Sequence, residues 1–123
     1  MRILPLFPLL LAALMFTGCQ RAPRPAGVPT QLSQLSSLVA SASWLRQHCN
    51  RTDIPADDVL TSKALAIAAQ RGWPTDSAFR QQLARQVSER TRALDADTPT
   101  VAEKCAVLNR SASEFINYSR QDV

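Results

Sequence analysis

The stretch TQLSQLSSLVASASWLRQHC, residues 30–49, decides the fold. Leu32, Leu35, Leu38, Val39, Ala42, Leu45 and Cys49 recur at steps of three and four, the spacing of one face of an α-helix. The same period continues downstream. A second helix is predicted from about Asp53 and Pro55, where proline suits a first turn and Asp57 and Asp58 complement the positive helix end. It runs to Arg71, with Gly72 as the stop and Pro74 just beyond. Small side chains around Ala64, Ala66, Ala68 and Ala69 let neighbouring helices approach closely. A third helix starts near Thr75-Asp76 and carries Phe79, Leu83, Val87 and Leu94. A fourth opens at Thr98-Pro99, an N-cap followed by proline, and places Val101, Cys105, Leu108, Ala112, Phe115 and Ile116 on one face. No segment alternates with period two and no Asn-Gly hairpin signal occurs. The expected fold is all-α, a small four-helix bundle over residues 30–123.

Upstream the character changes. Gln20 to Pro29 holds three prolines, a glycine and almost no apolar residue, so it reads as a stiff, extended tether rather than part of a core. At ~3.1 Å per residue it spans up to ~30 Å. Before it, Arg2 supplies a positive start, Ile3 to Phe16 an apolar run, and Thr17-Gly18 a pair of small residues. That run is too short to cross a hydrocarbon core of ~30 Å, which needs ~20 residues, and Pro5 and Pro8 make it a poor spanning helix. The cysteine directly after the small pair makes the junction resemble a bacterial lipobox, in which that thiol is acylated and becomes the new N-terminus. The alternative is a plain secretory signal ending near a cysteine. The lipobox reading divides the chain into a signal peptide at 1–18, a lipidated N-terminus and Pro-rich linker at 19–29, and the helical domain. Gln20 stands where lipoproteins kept in the inner membrane usually carry aspartate, so the expected location is the outer membrane, anchored through Cys19 with the domain facing the periplasm.

Removing residues 1–18 of the 123 leaves 105, enough for one modest core. The formal charge of +4 falls by one with Arg2, and the basic residues lie scattered among acidic ones rather than along a stripe. A solvated surface explains them better than nucleic acid does. With Cys19 set aside, Cys49 and Cys105 remain, and in an oxidising compartment two such cysteines most simply form one disulfide. Both fall on apolar stripes, so the bond would sew the first helix to the last. Neither belongs to a C-x-x-C pair, and His48 is the only histidine, which leaves thioredoxin-like chemistry and a metal site with little support.

Catalytic patterns are missing too. There is no G-x-S-x-G, no Walker loop and only three glycines in all. The acid pairs Asp57/Asp58 and Asp95/Asp97 sit at helix ends, where the dipole or a turn accounts for them. No enzyme and no cofactor are expected.

The run Cys49-Asn50-Arg51-Thr52-Asp53-Ile54-Pro55, then Arg71-Gly72-Trp73 after an alanine-rich helix, then Lys104-Cys105 and Asn109-Arg110, resembles the PulS/OutS-type pilotins of type II secretion. The likeness covers roughly residues 32–118. It implies a disulfide-bonded helical bundle carried by an outer-membrane lipoprotein. It also implies that the bundle binds the disordered C-terminal segment of a secretin subunit and delivers it to the outer membrane, with the lipoprotein sorting machinery acting on the lipid. A helix-in-groove mode would let such a tail fold on contact.

Apolar residues off the helix stripes are the candidates for that groove. Trp44 lies away from the first stripe, Val107 and Tyr118 share a second face of the fourth helix, and Leu65 lies across the second helix from Leu60 and Ile67. Leu38 and Leu45 form a shoulder that could line the same depression. Ordinary packing competes for each of them. Two rival functions stay open. A membrane-anchored inhibitor of a periplasmic enzyme would need a long exposed loop, which the chain lacks. A self-associating structural lipoprotein would need a sustained heptad. Leu35, Ala42 and Cys49 against Leu38 and Leu45 come nearest to that, with a cysteine in the seam.

Overall fold

The computed structural model of the protein describes residues 27–121, and the expectations for Cys19, the signal peptide and most of the linker fall outside that range. Five helices follow in order: α1 (Val28–His48), α2 (Asp57–Gln70), α3 (Ser77–Ala96), α4 (Val101–Ser111) and α5 (Ser113–Ser119). Among the described residues there is no strand, and no helix is long and apolar enough to cross a membrane. The all-α bundle with one disulfide stands, but the fourth predicted helix is two. Ser111 Oγ donates to the Leu108 carbonyl and Ser113 Oγ to that of Arg110, and these local bonds compete with the helical ladder. The chain breaks at Ala112 (φ −107°, ψ 4°), and α5 folds back to bury Phe115 and Ile116.

α1 is the axis of the molecule. Each of the other four helices packs on it, and the backbone of α3 comes close to α1 alone among the described helices. α3 also runs parallel to α1: Ser36 Oγ reaches Gln86 Oε1 at 3.3 Å, and further along Trp44 Nε1 donates to Asp95 Oδ1 at 2.9 Å. Because α1 is covered on several sides, one apolar stripe understates it. Leu35, Ala42 and Leu45 are sealed, and so are Ser36, Ser43 and Trp44. Leu60, Ala64, Ala68, Phe79, Leu83, Leu108, Phe115 and Ile116 complete the core around it.

Helix ends follow local chemistry. α1 begins at Val28 with Pro29 in its first turn, two residues inside the predicted linker. α2 ends in a Schellman turn: Gly72, at φ +70°, donates to the Ala69 carbonyl and Trp73 to that of Ala68. Asp76 caps α3 by accepting from the Phe79 amide. The cap of α4 is Thr100 rather than Thr98. Its hydroxyl accepts from the Glu103 amide while the Glu103 carboxylate accepts from the Thr100 amide, so two free donors are satisfied at once.

Between α1 and α2 lies the segment that carries the family-like pattern, and five of its residues have a mechanical use. Cys49 is bonded to Cys105, with Cα atoms 5.8 Å apart. Asn50 takes a positive φ of 55°, which asparagine tolerates, and turns the chain. Arg51 holds Asp53 through two N–H groups, at 2.9 and 3.0 Å, and donates a third to Asn109 Oδ1 on α4. Arg120, just past α5, closes on the same carboxylate at 3.4 Å. Ile54 plugs the core below them. This clasp displaces the start of α2 from the predicted Asp53 to Asp57.

Candidate partner-binding groove

α3 and α4 both rest on α1 with their backbones apart, and a trench runs between them. Its floor is made of small α1 side chains, Ser37, Ala40 and Ser41, with Arg90, Ala93, Leu94 and Asp97 along the α3 wall in a hollow of about 380 Å³. Leu94 and Asp97 are shared with a second, more apolar hollow of about 230 Å³, bounded by Pro99 and by Val107 and Leu108 on α4. A small-residue floor lets another backbone come close, and an α-helix with side chains is ~10–12 Å across.

Two side chains hold the walls. Arg90 on α3 donates to Ser33 Oγ on α1 at 2.7 Å. Lys104 on α4 donates from Nζ to the Leu94 carbonyl at 2.6 Å, and its ammonium lies 5.4 Å from the Trp44 ring centroid. α3 has no basic residue in its own last turn, so Lys104 supplies from outside the cation that its unsatisfied carbonyls favour. The disulfide lies one residue further along α4. The α4 wall is thereby pinned to α1 by a covalent bond and to α3 by a charge-assisted one.

The predicted groove residues separate. Val107 lines the apolar end of the trench and is 53% exposed. Leu38 and Tyr118 come together elsewhere, with Ile67 and Phe115, in a third hollow rimmed by Arg71, Arg110 and Glu114; this hollow meets the trench at Ser37. Val107 and Tyr118 therefore do not share a helix face, because the break at Ala112 separates them. Leu65 is half-buried against the core and lines neither depression. Trp44 and Leu45 are core residues, 2% and 0% exposed, and a partner cannot reach them without the bundle opening. Trp44 is off the apolar stripe because α3, not solvent, covers that side of α1. The floor residues Ser37, Ala40 and Ser41 are absent from the sequence-based set. Their signal is small residues at spacings of three and four beside the stripe.

Residues 17–117 match the family described as Type II secretion system pilotin lipoprotein (PulS_OutS). The chain is 33% identical to the pullulanase secretion protein PulS of Klebsiella pneumoniae over 99% of both proteins. It is 38% identical to the pilotin OutS of Dickeya dadantii, over 77% of this chain and 71% of that one.

The chain belongs to the PulS/OutS pilotin family.

Solved pilotin structures agree in fold. The Klebsiella pneumoniae type II secretion outer membrane complex of PulD, PulS and PulC HR domain contains a chain that matches with a TM-score of 0.72 at 30% identity, covering 77% of this pilotin and 100% of that chain. A pilotin/secretin peptide complex matches at 0.71 and 32% identity, over 78% and 99%. The crystal structure of the type 2 secretion system pilotin GspS matches at 0.67 and 27%, over 72% and 96%. The covered share of this pilotin is close to its described residues, so the likeness extends over the bundle as a whole.

Proposed function

We propose that this pilotin binds the C-terminal segment of a type II secretion secretin as a helix in the α1/α3/α4 trench, and carries it to the outer membrane through a lipid on Cys19. The observation that carries the reading is the small-residue floor beside two walls whose backbones stand apart and are bridged by the Lys104–Leu94 bond. A solved relative in complex with a secretin peptide supports the choice of partner. A disordered tail loses entropy when it folds, so the groove must offset that loss through a few buried anchors. The hollow around Leu94, Val107 and Leu108 is the place for one, and burying a single aliphatic side chain yields ~1.5–3 kcal/mol. Beyond it, Arg90 and the Ser37 and Ser41 hydroxyls offer donors to a polar flank of the same helix. In this reading residues 1–18 are removed, 19–29 form the lipidated start and linker, and lipoprotein sorting acts on the acylated cysteine.

Calorimetric titration of the chain from Gln20 onward with the C-terminal secretin peptide of the same bacterium tests the first half. One-to-one binding with a gain of helix by circular dichroism is expected. Val107→Asp and Ala93→Arg, both exposed, should each weaken it by roughly ten-fold or more, about 1.4 kcal/mol, without changing the melting temperature. No binding by the folded, oxidised domain would return the inhibitor and scaffold readings to the front. For the second half, a Cys19→Ser chain should bind the peptide as before and leave the secretin in the inner membrane. Correct outer-membrane assembly with that variant would sink the delivery step.

A further inference from the structure

The two ends of the bundle differ in charge. At one end lie the start of α1, the α2–α3 turn and the start of α3. The parallel register places them together, since Ser36 beside Gln86 sets Val28 level with the first turn of α3. This end carries Arg71 and Arg80, both exposed, and the acid Asp76, whose carboxylate is engaged by the Phe79 amide. Arg110 and Glu114, which rim one hollow with Arg71, offset each other in charge. Arg80 is fixed to the turn by its Nε bond to the Thr75 carbonyl at 2.9 Å. Arg71 stacks 4.9 Å from the ring centroid of half-buried Trp73, with Pro74 exposed beside it and Val28 41% exposed on α1. At the opposite end gather six acids, Asp53, Asp57, Asp58, Asp95, Asp97 and Glu103, against five cations, Arg46, Arg51, Arg92, Lys104 and Arg120. Of those cations, Arg51 and Arg120 are engaged by Asp53, and Lys104 by the α3 carbonyl.

We infer that the Arg71–Trp73–Arg80 corner of this pilotin docks on an anionic phospholipid surface, so that the bundle stands end-on with its acidic end outward. The inference rests on the lipid anchor proposed above. Cys19 precedes Gly27 by eight residues, which reach roughly 29 Å at full extension. That is about the length of the 21-residue α1. A tether this short holds the corner at high local concentration beside the membrane, where a weak attraction becomes effective. Arg21 and Arg24 add two positive charges to the tether itself. Arginine beside a tryptophan is the pairing that suits a headgroup layer, with the cation on phosphate and the amphipathic ring at the interface. The trench then stands away from the bilayer, its Pro99–Val107 end furthest out, because α3 ends and α4 begins at the distal end of α1.

The test uses the mature lipoprotein incorporated into vesicles carrying a shallow doxyl-labelled lipid, with tryptophan emission as the readout. Trp44 is sealed in the core and gives a constant background. On vesicles of phosphatidylethanolamine and phosphatidylglycerol, Trp73 emission should be quenched at least about two-fold more than on phosphatidylcholine alone. The charge-reversed pair Arg71→Glu/Arg80→Glu, whose side chains are exposed, should remove the difference while leaving the circular dichroism spectrum and secretin-peptide affinity intact. Co-flotation with vesicles but no quenching, or equal quenching on both lipids, would overturn the docking. Failure to co-float would instead overturn the anchor itself, and the docking with it.

Discussion

Lys104 shows how one side chain joins the trench proposed for the partner to the core. It is 9% exposed, and its ammonium is satisfied by the Leu94 carbonyl and the Trp44 ring face. Replacing it with methionine keeps the aliphatic stem but orphans that carbonyl at the end of α3. The expected cost is about 1–3 kcal/mol in urea unfolding, with faster amide exchange in the last turn of α3. Asp53 acts through charge instead. The Arg51 hydrogen bonds hold its carboxyl at about 2, against burial that acts in the other direction, with Arg120 adding a smaller pull. Its folded value lies below the ordinary ~3.9, so the stabilisation is complete above pH ~4 and disappears as the pH falls toward 2. Asp53→Asn should therefore lower the urea midpoint at pH 7 and not at pH 2. The cluster faces solvent, so the difference at neutral pH should stay under ~1 kcal/mol. The clasp residues are legible in the sequence as a capped turn beside the disulfide, because their chemistry is local. That Arg51 also grips Asn109 is not, since nothing in a linear chain marks a partner on another helix.

At the level of the helices, boundaries are legible wherever a single residue type controls them. Gly72 is the clearest case: its positive φ, with open space around the position of a Cβ, makes backbone conformation the whole of its role. Gly72→Ala should destabilise by about 1–2 kcal/mol in thermal or urea unfolding, and Gly72→Asn by less. Where two signals compete, the one with more satisfied donors wins, as with the reciprocal Thr100/Glu103 cap over Thr98-Pro99. The break at Ala112 is hidden because Leu108, Ala112, Phe115 and Ile116 keep helical spacing straight through it. α1 is the deeper difficulty. An apolar stripe assumes one buried face, whereas a helix at the centre of four neighbours is buried on several, and there serine and tryptophan are interior residues. For that reason the linear pattern conceals the trench floor and gives Trp44 the look of a surface anchor.

At the level of the whole molecule, the disulfide and the α1 hub decide stability. The Cys49–Cys105 bond joins positions 56 residues apart, and closing such a loop is worth ~4 kcal/mol in the chain-entropy model. For a domain whose total is ~5–15 kcal/mol, reduction should lower the urea midpoint sharply, and Cys49→Ala/Cys105→Ala should reproduce the effect without reductant. The same pair pins the α4 wall, so peptide affinity should fall along with stability.

The central position of α1 also sets an order in time. The helix on which all others rest precedes them in the chain, and its most extensive partner, α3, is complete only when residue 96 has followed. Until then its sealed leucines and Trp44 stand in water, and neither the parallel pairing nor the bond to Cys105 exists to cover them. Non-local contacts of this kind are slow to form and expose sticky surface while they wait. The chain must therefore pass its most aggregation-prone interval, shielded by escorts or by speed, before the trench itself exists.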